Sequence, residues 1–448
     1  MRDLFFTMLM VPLLGLAGAQ PFVGVLLWSW ISFMSPHREV WGFAGTIPWA
    51  QVTFLVTLFG CVVAREPKRL PLNTVTILLV LFAIGVTLTS LVALNTPSVV
   101  WGQWERVIKI IAGVLLTTAL LDRRERVHAL IWMIVISLGY FGVKGGIFTV
   151  MTGGGFRVLG PPDSIIADRN HLATALLTCV PLMNYLRLQS RYHVVRIGLA
   201  AAMACMVFSA IGSQSRGALV ALAATVLVFW ARSRGKVGSG IALGLLVLPA
   251  IAFMPETWVA RMQTIREYQE DASAMGRLRV WEAAWRIALA RPLTGGGFRG
   301  MYSQEIVNQY APGITARATH SIWFEPLGEH GFVVFALWLG IIVAGLLYSR
   351  RIVRMARDRT DCRWAYDFAR MSQVSVVAYA AGGTFLSLQY WDVFWTLMAT
   401  LGATHDLLAR GAVAPVAAPG AAEGGWRARA TAGLGEPVTV RGRTRARA

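Results

Sequence analysis

Residues 74–94 read "TVTILLVLFAIGVTLTSLVAL", without one charged side chain. A helix crossing the hydrocarbon core of a bilayer needs roughly 17–25 such residues, and inside the core every backbone N–H and C=O must be paired within the protein. The pattern returns at 197–211 and 332–348, both almost free of charge. Over the whole chain 56% of residues are hydrophobic and 15% charged, against about 45–50% and about 25% in soluble domains. These numbers exclude a soluble domain and point to an all-α polytopic membrane protein.

Working outward from 74–94, about 12 transmembrane helices are expected. They fall near 4–34 (broken near Gly18–Pro21), 47–64, 74–94, 104–121, 127–150, 170–187, 197–212, 217–231, 238–254, 321–348, 370–387 and 390–409. The first stretch fits two short helices or a re-entrant hairpin. Its opening, "MRDLFFTMLMVPLLGLAGAQ", imitates a signal peptide but precedes many spans, so it reads as an uncleaved first helix. Four segments follow: a transmembrane bundle over 1–254 (spans 1–9), a large loop with a surface helix over 255–320, further transmembrane helices over 321–409, and a disordered basic tail over 410–448.

Short loops rich in Lys and Arg stay in the cytoplasm. Arg65, Lys68 and Arg69, then Arg123, Arg124 and Arg126, then Arg187, Arg191 and Arg196 fall on one side of this span pattern. The net charge of +19 therefore collects almost wholly on that side. The basic balance reflects topology, and no nucleic acid partner is implied. The tail, rich in Ala, Gly, Pro and Arg, joins this side, while the 255–320 loop is extracytoplasmic. Within the loop, "GRLRVWEAAWRIALA" (276–290) sets Leu278, Trp281, Trp285 and Leu289 at helical spacing, as suits a helix lying on the outer membrane surface. Four cysteines, none in a CxxC spacing, read as small core residues.

The remaining ionisable residues gather on the outer side. Glu105, Arg106 and Lys109 open the fourth span, and Lys144 lies near the outer end of the fifth. Arg157, Asp163, Asp168, Arg169, Asn170 and His171 occupy "GFRVLGPPDSIIADRNHLA" (155–173). Arg216 sits in "SQSRGAL" (213–219), Arg277 and Arg279 lead the surface helix, and His320 stands in "RATHSIWFEPLGEHG" (317–331). Arginine forks pair well with phosphate, and a histidine can take a proton from a hydroxyl at neutral pH. A cationic chamber bearing histidine at the outer leaflet suits an anionic lipid head group and a hydroxyl acceptor.

Plainer readings stand beside these. Arg216 could snorkel to an interface, His320 could cap a helix, and "DRNHLA" also reads as a capped helix N-terminus. Arg279 belongs to the wet face of the surface helix. "TGGGF" (294–298) is a turn, since no strand precedes it as a phosphate loop would require. Glu325 and Glu329 share a helix face, but Glu325, five residues from His320, lies on the wrong side to orient it. No carboxylate or histidine cluster has ligand spacing, so neither metal nor cofactor is expected.

"SQSRGAL", "GRLRVWEAAWRIALARPLTGGGF" and "THSIWFEPLGEHGF", in that order within a many-spanning chain, resemble the O-antigen ligase and polymerase superfamily. "YFGVKGGIF" (140–148) and the 155–173 loop make the chain most similar to O-glycosylation ligases of exosortase A systems, over residues 1–409. The resemblance implies a GT-C-type, metal-independent, inverting glycosyltransferase in the bacterial inner membrane, with its site facing the periplasm. It implies an undecaprenyl-diphosphate-linked glycan as donor and a protein, lipid or sugar hydroxyl as acceptor. The family's essential residues fall on Arg216, Arg277 and His320; Lys144, Arg157, Asn170 and His171 are further candidates for diphosphate or sugar contacts. The family often has Asn after the histidine, where this chain has Ser321. A repeat-unit polymerase remains an alternative, as does a lipid-linked glycan flippase, although the chain shows no internal repeat.

Overall fold

The computed structural model describes residues 1–232, 235–256, 258–259 and 272–411, and every regular element among them is helical. Residues 260–271 of the expected outer loop, and the expected disordered tail from 412 onward, lie outside the described residues. In chain order the helices are α1 (Arg2–Ala19), α2 (Pro21–Met34), α3 (Trp49–Val63), α4 (Thr74–Leu91), α5 (Pro97–Ala119), α6 (Arg124–Met151) and α7 (Arg169–Gln189). There follow α8 (His193–Gly212), α9 (Arg216–Arg232), α10 (Lys236–Ala252), α11 (Ala272–Ala290), α12 (Gln304–Tyr310), α13 (Phe324–Ala356), α14 (Arg363–Gly383) and α15 (Asp392–Ala409). Met1–Ala412 cluster as one compact unit.

Helix boundaries follow local chemistry. Gln20 is extended, and Pro21 opens α2 where its missing N–H costs nothing, so the first expected span is two helices. Asn73 caps α4 by accepting from the Thr76 N–H at 3.1 Å. Inside the apolar helices, threonine hydroxyls donate to the carbonyl four residues back, as Thr117 does to Gly113 and Thr149 to Gly145.

A helix coincides with each expected span. α1, α4, α6, α8 and α13 are long and apolar enough to cross a membrane, and α2, α3, α9 and α10 are shorter apolar helices. Their outward faces are greasy: Phe59 is 66% exposed, Val62 81% and Leu245 72%. A face of that kind needs lipid around it. By contrast Arg126, which the sequence reading counts among the topology-setting charges, is only 3% exposed. It pairs with Glu66 at 3.1 Å and Asp122 at 3.3 Å and donates to the Leu120 carbonyl at 2.9 Å.

The helix expected on the outer surface, α11, has two unlike faces. Val280, Ala283, Ala284, Ile287 and Ala288 of α11 are fully buried, and the helix packs on α13, whereas Leu278, Trp285 and Leu289 point outward. Small residues let the two helices approach closely there. The tenth expected span differs. α13 runs to Ala356, and Gly331 interrupts it with φ 75° and ψ −174°. This break removes the intrahelical donors of the preceding turn. The N–H groups of Gly296 and Gly297 replace them on the carbonyls of Gly328 and Glu329 at 2.8 and 2.7 Å, while the Phe332 N–H turns to the Pro292 carbonyl at 2.8 Å.

Gly331→Ala would place a Cβ 2.5 Å from the Pro292 carbonyl oxygen at a left-handed φ, a backbone position that alone costs roughly 1–3 kcal/mol. The expected result is a melting temperature several degrees below wild type in detergent. Gly198→Ala, in open space on α8, should leave it unchanged or slightly raised. Equal melting of the two variants would refute the joint.

Candidate active site

The N-terminus of α9 is fixed by its flanks. Ser215 caps it, accepting from the Ala218 N–H at 3.1 Å, and Gln214 takes a left-handed turn with φ 54°. The Gln214 side chain donates to the Gly154 carbonyl at 3.2 Å, and its own carbonyl accepts from Arg169 Nη1 at 3.3 Å. Arg216, the first residue of α9 and half-buried, is thereby held beside the start of α7. There Asp168 caps α7, with both the N–H and Nδ2 of Asn170 donating to its Oδ1 at 2.8 and 2.7 Å. Burial pushes the Asp168 carboxyl up, but the Asn170 hydrogen bonds win and hold it below the usual range. The Asn170 side chain thus braces the Asp168 cap.

His320 precedes α13 in a left-handed conformation, φ 47°, uncommon for a residue with a side chain. Its flanks hold it there. Trp281 Nε1 of α11 donates to the Thr319 carbonyl at 2.7 Å, and the Ile322 N–H donates to the Gly383 carbonyl at 3.0 Å. The Trp281 ring stacks on Phe324 and Phe385, and the Phe385 Cβ lies 3.9 Å from where a side chain on Gly217, the neighbour of Arg216, would begin. Trp281 therefore links the loop helix to the His320 turn, with Phe385 between it and the SRG turn.

The field at His320 is cationic. Burial, then Arg277, His171 and Arg317, all disfavour the imidazolium, with Asp168 alone favouring it; the pKa falls to about 4. Arg317 Nη1 occupies the place where a side chain on Gly276 would begin, which sets it against the start of the Arg277 turn. Nδ1 of His320, Nε2 of His171 and Oγ1 of Thr319 are buried without a hydrogen-bond partner. Buried polar atoms are nearly always paired, so this cluster has the character of a site that receives a polar ligand.

The structure thus gathers Arg277, His320 and His171, and Arg169 of α7 joins the turn that carries Arg216 to the same end of α7 as His171. Lys144 stands apart: it is largely exposed, faces Glu39 at 3.9 Å and lies over the Tyr140 ring. Arg157 is exposed on the 155–168 loop, and Arg279 is exposed on α11. Arg317 was not singled out in the sequence, although it lies three residues before His320. A separate cavity of about 430 Å³, lined by Arg38, Arg106, Lys109, Asp163 and Asp392 among apolar side chains, includes none of the His320 group.

The TGGGF turn holds no phosphate loop, since the N–H groups of Gly295, Gly296 and Gly297 all donate to backbone carbonyls. The two carboxylates that follow His320 are equally committed. Glu329 accepts from the Arg299 N–H at 2.7 Å and from Tyr390 O–H at 2.6 Å; Glu325 accepts from Ser387 and, at 3.4 Å, from Tyr302 O–H. With Tyr390 donating to Glu329, His330 Nε2 must donate to Tyr390 (3.0 Å), which leaves Nδ1 to accept from Thr89 (2.7 Å). Charged groups enter this helix because α4, the 299–302 turn and the 384–391 segment supply their partners.

Residues 201–339 match the O-antigen ligase family. The ligase match spans α8 to the first half of α13 and contains Arg216, Arg277 and His320, although the sequence reading extends the resemblance over 1–409. It supports glycan transfer of the ligase or polymerase type, with a lipid-linked glycan donor and an acceptor in a membrane. Residues 1–191 match a family of unknown function (DUF5935). No curated protein matches the chain.

Removing the Glu329 side chain would leave the part-buried Arg299 N–H and Tyr390 O–H without this acceptor, at a cost of up to about 1–3 kcal/mol each. Glu329→Ala should lower the melting temperature clearly. Glu282→Ala, which breaks only the exposed pair with Arg286, should barely move it. The reverse order would show that the carboxylate network is not structural.

Proposed function

We propose that the protein moves a glycan from undecaprenyl diphosphate to an acceptor hydroxyl, as a metal-independent, inverting glycosyltransferase of the GT-C type. About twelve helices cross the bacterial inner membrane in this reading, and the site faces the periplasm. Arg216 and Arg277 hold the diphosphate, with Arg317 and His171 beside them. His320 takes the acceptor proton as the acceptor oxygen bonds to the anomeric carbon. The bond from that carbon to the phosphate oxygen breaks, its electron pair staying with undecaprenyl diphosphate, whose charge the arginines stabilise. Likeness of "YFGVKGGIF" and the 155–173 loop to O-glycosylation ligases of exosortase A systems favours a single transfer to an acceptor such as a protein hydroxyl over polymerisation. The observation that carries the proposal is the His320 ring, unpartnered at Nδ1 and surrounded by arginines inside the ligase-family region.

The test is transfer by purified protein in nanodiscs from a fluorescent undecaprenyl-diphosphate oligosaccharide. His320→Ala should lower transfer by about 10²–10⁴-fold, the usual worth of a general base. Arg216→Ala and Arg277→Ala should also lose transfer while melting like wild type. One glycan added per acceptor supports a ligase, and a ladder of lengthening glycans overturns that choice in favour of a polymerase. Movement of the donor across a vesicle membrane with no transfer overturns the enzyme.

The pH profile gives an independent check. A histidine held near pKa 4 is neutral, and able to accept a proton, everywhere above that value. The acid limb of kcat/KM, which reports the free enzyme, should therefore lie near pH 4, below the ordinary histidine value of about 6.5. Bound diphosphate offsets the arginines and favours the imidazolium, so the acid limb of kcat should lie higher than that of kcat/KM. A shared limb at pH 6.5 would contradict the geometry.

A further inference from the structure

The cavity of about 430 Å³ lies among α2, α3 and α5, bordered by the 155–168 loop and the start of α15. α5 packs chiefly on α4 and α15 and leaves an opening toward α3. Leu55, part of the cavity wall, belongs to the exposed face of α3, so the cavity gives onto a surface that needs lipid.

Polarity changes in step along the three helices. The lining runs from Trp28 and Ile31 on α2 to Arg38 just past its end, from Gln51 to Phe54 on α3, and from Lys109 to Ala112 on α5. Lys109 Nζ donates to Gln51 Oε1 at 3.0 Å, which sets the polar ends of α3 and α5 side by side. The end of α2 lies with them, because the chain turns there into α3. A slot of this size, wet at one end and apolar at the other, has the form of a head group with an acyl chain.

The charges at the polar end balance. Lys109 pairs with Glu105 at 2.5 Å, and of the charges acting on Arg106 that of Asp392 has the largest effect. Arg38 faces Asp163 at 3.7 Å. His37 adds no charge, since burial and then the Arg38 guanidinium push its pKa down to about 4. A simple anion therefore meets no surplus of positive charge. The open pair is Arg38 with Asp163. Its 3.7 Å is too long for a hydrogen bond, both side chains are partly exposed, and neither makes a hydrogen bond among the described residues. A guanidinium fork beside a carboxylate suits a ligand that carries both signs, phosphate on the fork and ammonium on the carboxylate.

We infer that this cavity binds one phosphatidylethanolamine, its phosphate on Arg38, its ammonium on Asp163 and part of one acyl chain between α2, α3 and α5. Pockets between transmembrane helices recognise lipid head groups through such polar contacts. The loop that supplies Asp163 ends at Asp168, whose charge acts on His320, so the lipid belongs to the leaflet on that side. No residue of the His320 group lines the cavity, and the inference is independent of the glycan chemistry.

The experiment is native mass spectrometry of the detergent-purified full chain, titrated separately with phosphatidylethanolamine, phosphatidylcholine and phosphatidylglycerol of the same acyl chains. Phosphatidylcholine carries both charges without an N–H to donate, and phosphatidylglycerol carries the phosphate without the cation. Wild type should hold one phosphatidylethanolamine about tenfold more tightly than either, the worth of one charge-assisted hydrogen bond. Asp163→Asn should bring phosphatidylethanolamine down to the phosphatidylcholine level, and Arg38→Gln should weaken both about tenfold. Both variants should melt like wild type, since the pair they break is partly exposed. A phosphatidylethanolamine with a diazirine midway along one acyl chain, irradiated on wild type, should label residues 50–55 or 106–112. Equal binding of the three lipids, or tightest binding of phosphatidylglycerol, overturns the head group. Unchanged binding in either variant overturns that residue's contact, and labels confined to other helices overturn the slot.

Discussion

A backbone carbonyl in a low-dielectric setting must find a donor, and the structure around Gly331 follows from that requirement. The kink in α13 strips donors from the Gly328 and Glu329 carbonyls, and the TGGG turn returns them from outside the helix. Because the replacement comes from residues 296 and 297, the end of α11 is locked to the first turns of α13. What the chain gains is a short helical segment, Phe324–His330, that does not have to run along the axis of the span that follows. His320 and the carboxylates lie on that segment and its approach.

The same requirement shapes the chemistry on either side of the joint. Carboxylates deep in the segment accept from donors in two other parts of the chain and serve to hold it. His320, a few residues earlier, is clamped at the backbone by Trp281 and Gly383 but left without a partner at Nδ1. Rigid main chain with an unsatisfied side chain is the combination a reacting group needs, since the position is fixed in advance while the hydrogen bond is left for the substrate.

Much of this was legible in the sequence for a plain reason. Runs such as 74–94 have one favourable environment, and Pro, Gly and Asx residues mark where helices stop, so the helix positions and the break near Gln20 could be read directly. The cluster of Arg277, His171 and His320 was also legible, because ionisable residues outside the basic loops are few. What could not be read were pairings set by three-dimensional packing. Lys144 goes to Glu39, and Arg126 leaves the solvent-facing charges to become a buried ion pair. Asn170 turns inward to its own helix cap, and α11 packs its alanines on α13. Each depends on which helix lies alongside, a fact no spacing within one helix encodes. Glu325 and Glu329 were unexplained for the same reason, their donors lying 61 and 62 residues away at Tyr390 and Ser387.

Those distances along the chain set an order of assembly during synthesis. The Gly331 joint closes between neighbours in sequence, so α11 and α13 can lock together as soon as α13 has been made. Thr89, which His330 needs, was made 241 residues earlier and is already waiting. Ser387 and Tyr390 emerge only after α14. Until they arrive, Glu325 and Glu329 have incomplete hydrogen bonding and cannot settle in the interior without a penalty. The segment that follows His320 is therefore seated only after Ser387 and Tyr390 have been made, and a nascent chain inserted only as far as α14 holds these carboxylates on a helix turn that has not yet docked.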